Sequence, residues 1–194
     1  MTILFSCCAA AQSTPTVEVF GGYSYARVDV TGITHVNSQG WSASATENLN
    51  HRFGGTFEVS GYYATPQFTF PEITFNPRSS IYSVLYGPRF SFRKSERFTP
   101  SIHALLGIAH LHESQAGFST SDNSFEAALG GELDVKINER FAIRLIQADY
   151  VYTRFRQFQL VITGGQLHLE LSGPRVGQNN IRASTGIVFR FGHR

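Results

Sequence analysis

The chain has 194 residues, 42% of them hydrophobic and only 15% charged, with a formal net charge of +2. That length fits a single domain, and the charged fraction lies well below the usual quarter for soluble proteins. Near-neutrality leaves no basic footprint for nucleic acid, and no run of ~18 apolar residues exists to form a transmembrane helix. Phe (17), Tyr (8) and Gly (18) are abundant, and the mean hydropathy is −0.11. Taken alone, these values describe an aromatic-rich soluble β protein. The order of the residues says otherwise.

The opening stretch, Met1 to Gln12, is a short apolar run ending in Ala9-Ala10-Ala11. It reads as the tail of a secretory signal cleaved near Ala11, although the cationic start of such signals is missing. A lipoprotein alternative runs through Leu4-Phe5-Ser6-Cys7, with Cys7 acylated. Both cysteines, Cys7 and Cys8, fall here, so the mature chain is expected to hold no disulfide, thiol nucleophile or thiolate metal site. The expected division is a signal-like segment 1–11, a lead 12–16, the folded domain 17–192 and an overhang 193–194.

Eight alternating segments follow. They are Val17–Asp29, Gly40–Leu49, Phe53–Tyr63, Ser80–Phe92, Phe98–His112, Ser124–Ile137, Phe141–Arg154 and Asn180–Gly192. Connections after the second, fourth and sixth are short (50–52, 93–97, 138–140); the others are long, the longest spanning 155–179. An even number of strands joined alternately by short turns and long loops predicts an all-β fold, an eight-stranded antiparallel up-and-down transmembrane β-barrel. Loop two, 64–79, carries Phe68, Phe70, Pro71, Phe75 and Pro77. Loop four holds Thr163-Gly164-Gly165-Gln166, a hairpin signal expected to extend the seventh and eighth strands upward.

Residues i, i+2 and i+4 of a strand share a face. In the sixth segment Phe125, Ala127, Leu129, Gly131, Leu133, Val135 and Ile137 oppose Glu126, Ala128, Gly130, Glu132, Asp134 and Lys136. In the fourth, Tyr82, Val84, Tyr86, Pro88, Phe90 and Phe92 oppose Ser83, Gly87, Arg89 and Ser91. A lipocalin interior needs large apolar side chains inward. Here the bulky rings occupy the face that lies outside once the charges are enclosed, the apolar-out, polar-in pattern of a membrane barrel. The seventh segment breaks strict alternation, which predicts a one-residue bulge near Ile146 that turns Gln147 and Asp149 inward.

The aromatics sort by height. Tyr23, Tyr25, Trp41, Tyr63, Tyr82, Tyr150 and Tyr152 fall at the long-loop ends. Phe53, Phe90, Phe92, Phe98, Phe141, Phe189 and Phe191 fall at the short-turn ends. Two such belts are expected at the two membrane interfaces.

Gly40-Trp41-Ser42-Ala43-Ser44-Ala45-Thr46, then Phe53-Gly54-Gly55 and Val59-Ser60-Gly61-Tyr62-Tyr63, resembles strands two and three of the OmpA-like outer-membrane β-barrel domain family. The opening 17–25 and closing 184–192 resemble that family's first and last strands. The resemblance implies a structural or surface-interaction protein in the cell outer membrane, with both termini periplasmic. It also implies outer-membrane lipid and the barrel-assembly machinery as partners. Family members end on an aromatic; this chain adds Gly192-His193-Arg194 after Phe191, so the Ile187/Phe189/Phe191 signal is slightly displaced. No peptidoglycan-binding domain is expected to follow the eighth strand.

Alternation places Glu18, Glu58, His103, Glu126, Glu132, Asp134, Arg89, Lys136, Arg144, Arg182 and Arg190 inside, with Asp149 joining through the bulge. An unpaired buried charge costs several kcal/mol, so these residues are expected to form a salt-bridge network filling the lumen. A small porin-like pore lined by the same charges is the alternative. A surface lipid or peptide hydrolase drawn from His110, His112, Glu113, Ser114 and Asp149 is weaker, because adjacent positions point to opposite faces. His110 and His112 share a face, but two ligands alone make a poor metal site. The expectation is therefore no enzyme, no metal and no cofactor, with any surface ligand met through the loops.

Overall fold

The structure, a computed structural model, describes residues 14–30, 34–65, 68–70, 73–76, 78–115, 118–157, 159–163, 166–170 and 172–192. The signal-like segment and Cys7 lie outside them. The strands are β1 (Val17–Val30), β2 (Thr34–Asn48), β3 (Phe53–Ala64), β4 (Phe68–Phe70), β5 (Ile73–Phe75) and β6 (Arg78–Ser91). They continue as β7 (Phe98–Gln115), β8 (Phe118–Lys136), β9 (Phe141–Thr153), β10 (Gln159–Thr163), β11 (Gln166–Glu170) and β12 (Gln178–Phe191).

Eight of these close into one barrel in the order β1-β12-β9-β8-β7-β6-β3-β2, every neighbour antiparallel. Closure gives every barrel strand a paired neighbour on both sides. The other four form two small hairpins in the long loops, β4–β5 and β10–β11. The expected upward extension of the seventh and eighth strands is present. Beyond Thr153–Gln178 the pairing runs on through the Val176 N–H to the Phe155 carbonyl, the Arg156–Arg175 bridge and the Gln157 N–H to the Pro174 carbonyl, and leads into the β10–β11 ladder.

The barrel is inside-out relative to a water-soluble domain. Arg89 and Arg182 are 2% exposed, whereas Ile108, Leu129 and Ile181 are each 64% exposed. About 2–4 kcal/mol would oppose a midplane Arg or Lys turned outward into lipid, so the alternation has only one comfortable sense.

The three short turns share a device that pattern reading missed. In Asn50-His51-Arg52-Phe53 and Asn138-Glu139-Arg140-Phe141, the Asn Oδ1 accepts from the backbone N–H groups two and three residues on. In Ser95-Glu96-Arg97-Phe98 the Ser95 hydroxyl oxygen does the same for Arg97 and Phe98. Such side-chain acceptors replace a backbone turn. The Arg carbonyl of each turn then accepts from the adjacent strand: Arg52 from Ser91, Arg97 from Lys136 and Arg140 from Arg190. One Asn/Ser-X-Arg-Phe unit therefore ends a strand, starts the next and delivers a Phe to the lower belt.

β9 carries the bulge. Leu133 pairs with Ile146 but Asp134 with Arg144, and Ser184 pairs with Gln147 but Gly186 with Arg144. Leu145 and Ile146 both face outward, at 52% and 51% exposed, and Gln147 and Asp149 are consequently buried. The Thr185 hydroxyl donates to the Arg144 carbonyl beside the irregularity (2.9 Å).

Deleting Leu145 and Ile146 together would make Gln147 follow Arg144 directly and carry Gln147 and Asp149 to the hydrocarbon side, whereas loss of Ile146 alone would leave both inward. Refolding the double deletion into detergent should then give no heat-modifiable band on gels, whereas Ile146→Ala should keep it. A heat-modifiable double deletion would overturn this role for the bulge.

Candidate functional site

The candidate site is the barrel interior, built upward from the short-turn mouth. Glu18 accepts from Arg190 Nε (3.1 Å), its register partner across β1–β12, and from Arg89 Nη1 (2.6 Å) on β6. Arg93 Nη2 (3.1 Å) reaches the same carboxylate from the turn after β6. Arg89 continues to Glu132 (2.5 Å) and Asp134 (3.4 Å) on β8. Arg144 on β9 closes this layer onto Asp134 (2.9 Å) and Glu132 (2.6 Å), and its guanidinium lies 4.3 Å over the Phe20 ring.

Gln147 links the next layer. It accepts from Arg144 Nη1 (2.8 Å) and donates to Glu58 (3.0 Å) and Asp149 (3.0 Å). Glu58 on β3 lies on the wall opposite β9, so this amide spans the lumen. Arg182 holds the same two carboxylates, Glu58 at 2.6 Å and Asp149 at 2.6 Å. His103 Nε2 bonds Asp149 (2.8 Å), and its Nδ1 lies 3.9 Å from Glu132. His103, Gly130 and Asp149 are in register across β7, β8 and β9, and a Cβ at Gly130 would fall on the Asp149 carboxylate. The absent side chain is what lets the two ends of that bridge meet.

Above this lie the Ser83–Glu126 bond (2.6 Å) and a hydroxyl chain from Tyr62 through Ser24 to Ser184 (2.8 and 2.7 Å). Ala109, Leu111 and Phe155 then pack together inside the long-loop end. A residual cavity of about 30 Å³ beneath them, lined by Tyr62, Glu126, Phe155 and Arg182, is the size of one water. The interior is not purely polar: Leu85, Leu105, Ala128 and Val151 form one inward apolar patch, and Phe20, Ala142 and Val188 another.

Of the twelve charged positions assigned to the lumen, eleven are buried in the barrel interior. Lys136 departs. At the last residue of β8 its ammonium turns to Glu139 in the neighbouring turn (2.6 Å) and stays about one-third exposed, which keeps it hydrated. Arg93 takes a place that sequence reasoning did not foresee, because alternation says nothing of a turn residue reaching back into the mouth.

Of the predicted belt residues, Tyr23, Tyr25, Trp41, Tyr63, Tyr82 and Tyr150 are exposed on the outer face, with Tyr152 half-buried. Register sets Tyr23 beside Trp41, Trp41 beside Gly61 and Gly61 beside Tyr82, one rung around the wall. At the other end edge-to-face pairs join Phe53 to Phe90 (4.8 Å), Phe90 to Phe92 (4.8 Å) and Phe141 to Phe189 (5.1 Å). Phe191 is outward and 54% exposed.

No hydrolytic set is assembled among the described residues. His110 and His112 point outward, with His110 bonded to Asn123 (2.8 Å), while Glu113 points inward to the Ser79 hydroxyl (2.7 Å). Glu113 stands three residues above the register partner of belt residue Tyr82, and burial there pushes its carboxyl up to about 7. Asp149 is committed to Arg182, Gln147 and His103.

A family model for the outer membrane protein beta-barrel domain matches residues 1–191. No curated protein sequence matches the chain. Among solved structures, the attachment invasion locus protein Ail of Yersinia pestis is similar at 21% identity over 92% of this chain and 100% of that one (TM-score 0.57). Neisserial surface protein A is similar at 12% identity over 92% and 99% (TM-score 0.62). OprG of Pseudomonas aeruginosa is similar at 9% identity over 93% and 97% (TM-score 0.52). Ail has also been solved with the heparin analogue sucrose octasulfate. At these identities the likeness is one of fold.

Arg89→Ala removes the guanidinium shared by Glu18, Glu132 and Asp134 and leaves buried carboxylates short of a partner. Urea unfolding in phospholipid vesicles should read a loss of about 3–5 kcal/mol. A loss within experimental error would show that the network carries little of the stability.

Proposed function

The chain belongs to the outer membrane protein β-barrel domain family, and on that premise we propose a non-conducting barrel whose work is surface contact through its long loops. The short turns and both chain ends face the periplasm. The observation that carries this reading is the unbroken side-chain bridge across the lumen from Glu18 through Arg89, Glu132, Arg144 and Gln147 to Glu58 and Arg182. An eight-stranded barrel is just wide enough for side chains to fill, and here they do so with paired charges under an apolar lid at Phe155. Such an interior serves rigidity and leaves no continuous water path.

The role involves no catalysis, since the histidines and the acid nearest them lie on opposite faces of β7. Contact with a ligand falls to the loops, the part of a rigid fold that carries recognition. The sulfated ligand held by Ail makes an anionic surface partner a reasonable class to try first. Outward Ile187, Phe189 and Phe191 on β12 serve as the aromatic signal read by the barrel-assembly machinery.

In planar bilayers, protein shown by heat-modifiability to be inserted should give no discrete conductance steps, and Arg89→Ala combined with Glu18→Ala should open some. Regular steps from the wild type would overturn the plugged reading in favour of a small pore. Orientation is tested by thiol labelling of intact cells. Ser172→Cys should react and Lys94→Cys should not; the reverse pattern would invert the proposed topology.

A further inference from the structure

The outer face of β2, β3, β6 and β7 carries an amphipathic cleft that nothing in the lumen explains. Its floor is the tyrosine belt, where Tyr63 and Tyr82 meet edge to face with their hydroxyl oxygens 3.2 Å apart. Gly61 lets the belt rings close up: a Cβ there would come within 2.9 Å of the Trp41 indole nitrogen and 3.2 Å of the Tyr82 ring. Above the rings the cleft is an open depression of about 790 Å³, lined by Asn37, Gln39, Ser80, Ser114, Arg78 and His112 among others. That volume is within the roughly 300–1,000 Å³ of ligand pockets and far exceeds a lone phosphate.

The charge is one-sided. No carboxylate is among the described lining residues. The nearest in sequence, Glu113, points the other way and is held by the Ser79 hydroxyl. Every inward arginine of the barrel has an ion-pair partner, whereas among the described residues Arg78 has none and is exposed. Below the cleft the wall is hydrocarbon-facing, with Val84, Tyr86, Leu106 and Ile108 all exposed. From top to bottom the face therefore offers a cation, hydroxyls and amides, aromatic rings, then an apolar slope.

We infer that this cleft binds the headgroup of a phosphorylated glycolipid of the outer leaflet. The Arg78 guanidinium takes the phosphate, His112 and the amides of Asn37 and Gln39 contact the sugar, and the acyl chains run down the slope below Tyr82. Arginine forks match phosphate oxygens, and sugar faces stack on aromatic rings. The site rests on the orientation proposed above, with the long loops outside, and extends the surface-contact reading to a stated lipid class.

Trp41, the sole tryptophan, lies against Gly61 beside the floor and reports occupancy by fluorescence. Detergent-solubilised, heat-modifiable protein should bind diphosphoryl lipid A more tightly than the monophosphoryl form, and Arg78→Ala should weaken diphosphoryl binding about tenfold. Arg154→Ala, which removes an exposed cation beyond the end of β9, should leave it unchanged. Equal binding of the two lipid forms, equal loss in both variants, or full displacement by inorganic phosphate alone would overturn the assignment. Because this measurement is made in detergent, its failure is separable from a failure of the thiol-labelling test of topology.

Discussion

A strand that crosses hydrocarbon has nowhere to place its backbone N–H and C=O groups except on other strands. Everything in this molecule follows from that demand. Eight strands satisfy it only by closing on themselves, and the closing pair, β1 with β12, runs in register from Val17–Phe191 to Arg27–Ile181. Once closed, each strand has one face in lipid and one in a narrow interior. The period-2 alternation of side chains then converts a sequence pattern into two environments of opposite polarity.

The interior is filled under a second constraint, the cost of a buried charge without a partner. Some pairs come directly from register, as with Glu18–Arg190, Arg182–Asp149 and Asp134–Arg144. Others cross the lumen and depend on the shape of the barrel, as with Arg89–Glu18 and Arg182–Glu58. Two irregularities make the layers meet. The bulge at Leu145–Ile146 turns Gln147 and Asp149 inward, and the bare backbone of Gly130 lets Asp149 reach His103. The same closure leaves Arg78, which has no ion pair among the described residues, exposed at the outer rim.

The ends of the barrel are solved differently. At the short-turn end the Asn/Ser-X-Arg-Phe unit recurs three times, each turn completed by one side-chain oxygen and each feeding a ring into the lower belt. At the other end the strands outrun the belt: β7 and β8 pair from Phe98–Val135 up to Gln115–Phe118. Hairpins β4–β5 and β10–β11 carry on the pairing of the wall strands below them: Phe68–Phe75 keeps the register of Ala64–Ser79, and Arg156–Arg175 leads from Thr153–Gln178 to Gln159–Glu170.

The sequence by itself determined the number of strands, which connections are short, the face each residue takes and even the place of the bulge. Each of these follows from a local period of two and its single break. It also determined that the low charged fraction and near-zero mean hydropathy are averages over two opposite faces. Only the tertiary structure decided who meets whom. Register across a closed barrel fixes whether Lys136 joins the lumen or turns to Glu139, and whether Arg93 reaches Glu18 from a turn. It also decides that Trp41, Gly61 and Tyr82 share a rung, with the two rings closing over the bare glycine. Those outcomes depend on contacts between residues far apart in the chain, and a pattern that repeats every second residue carries no record of them.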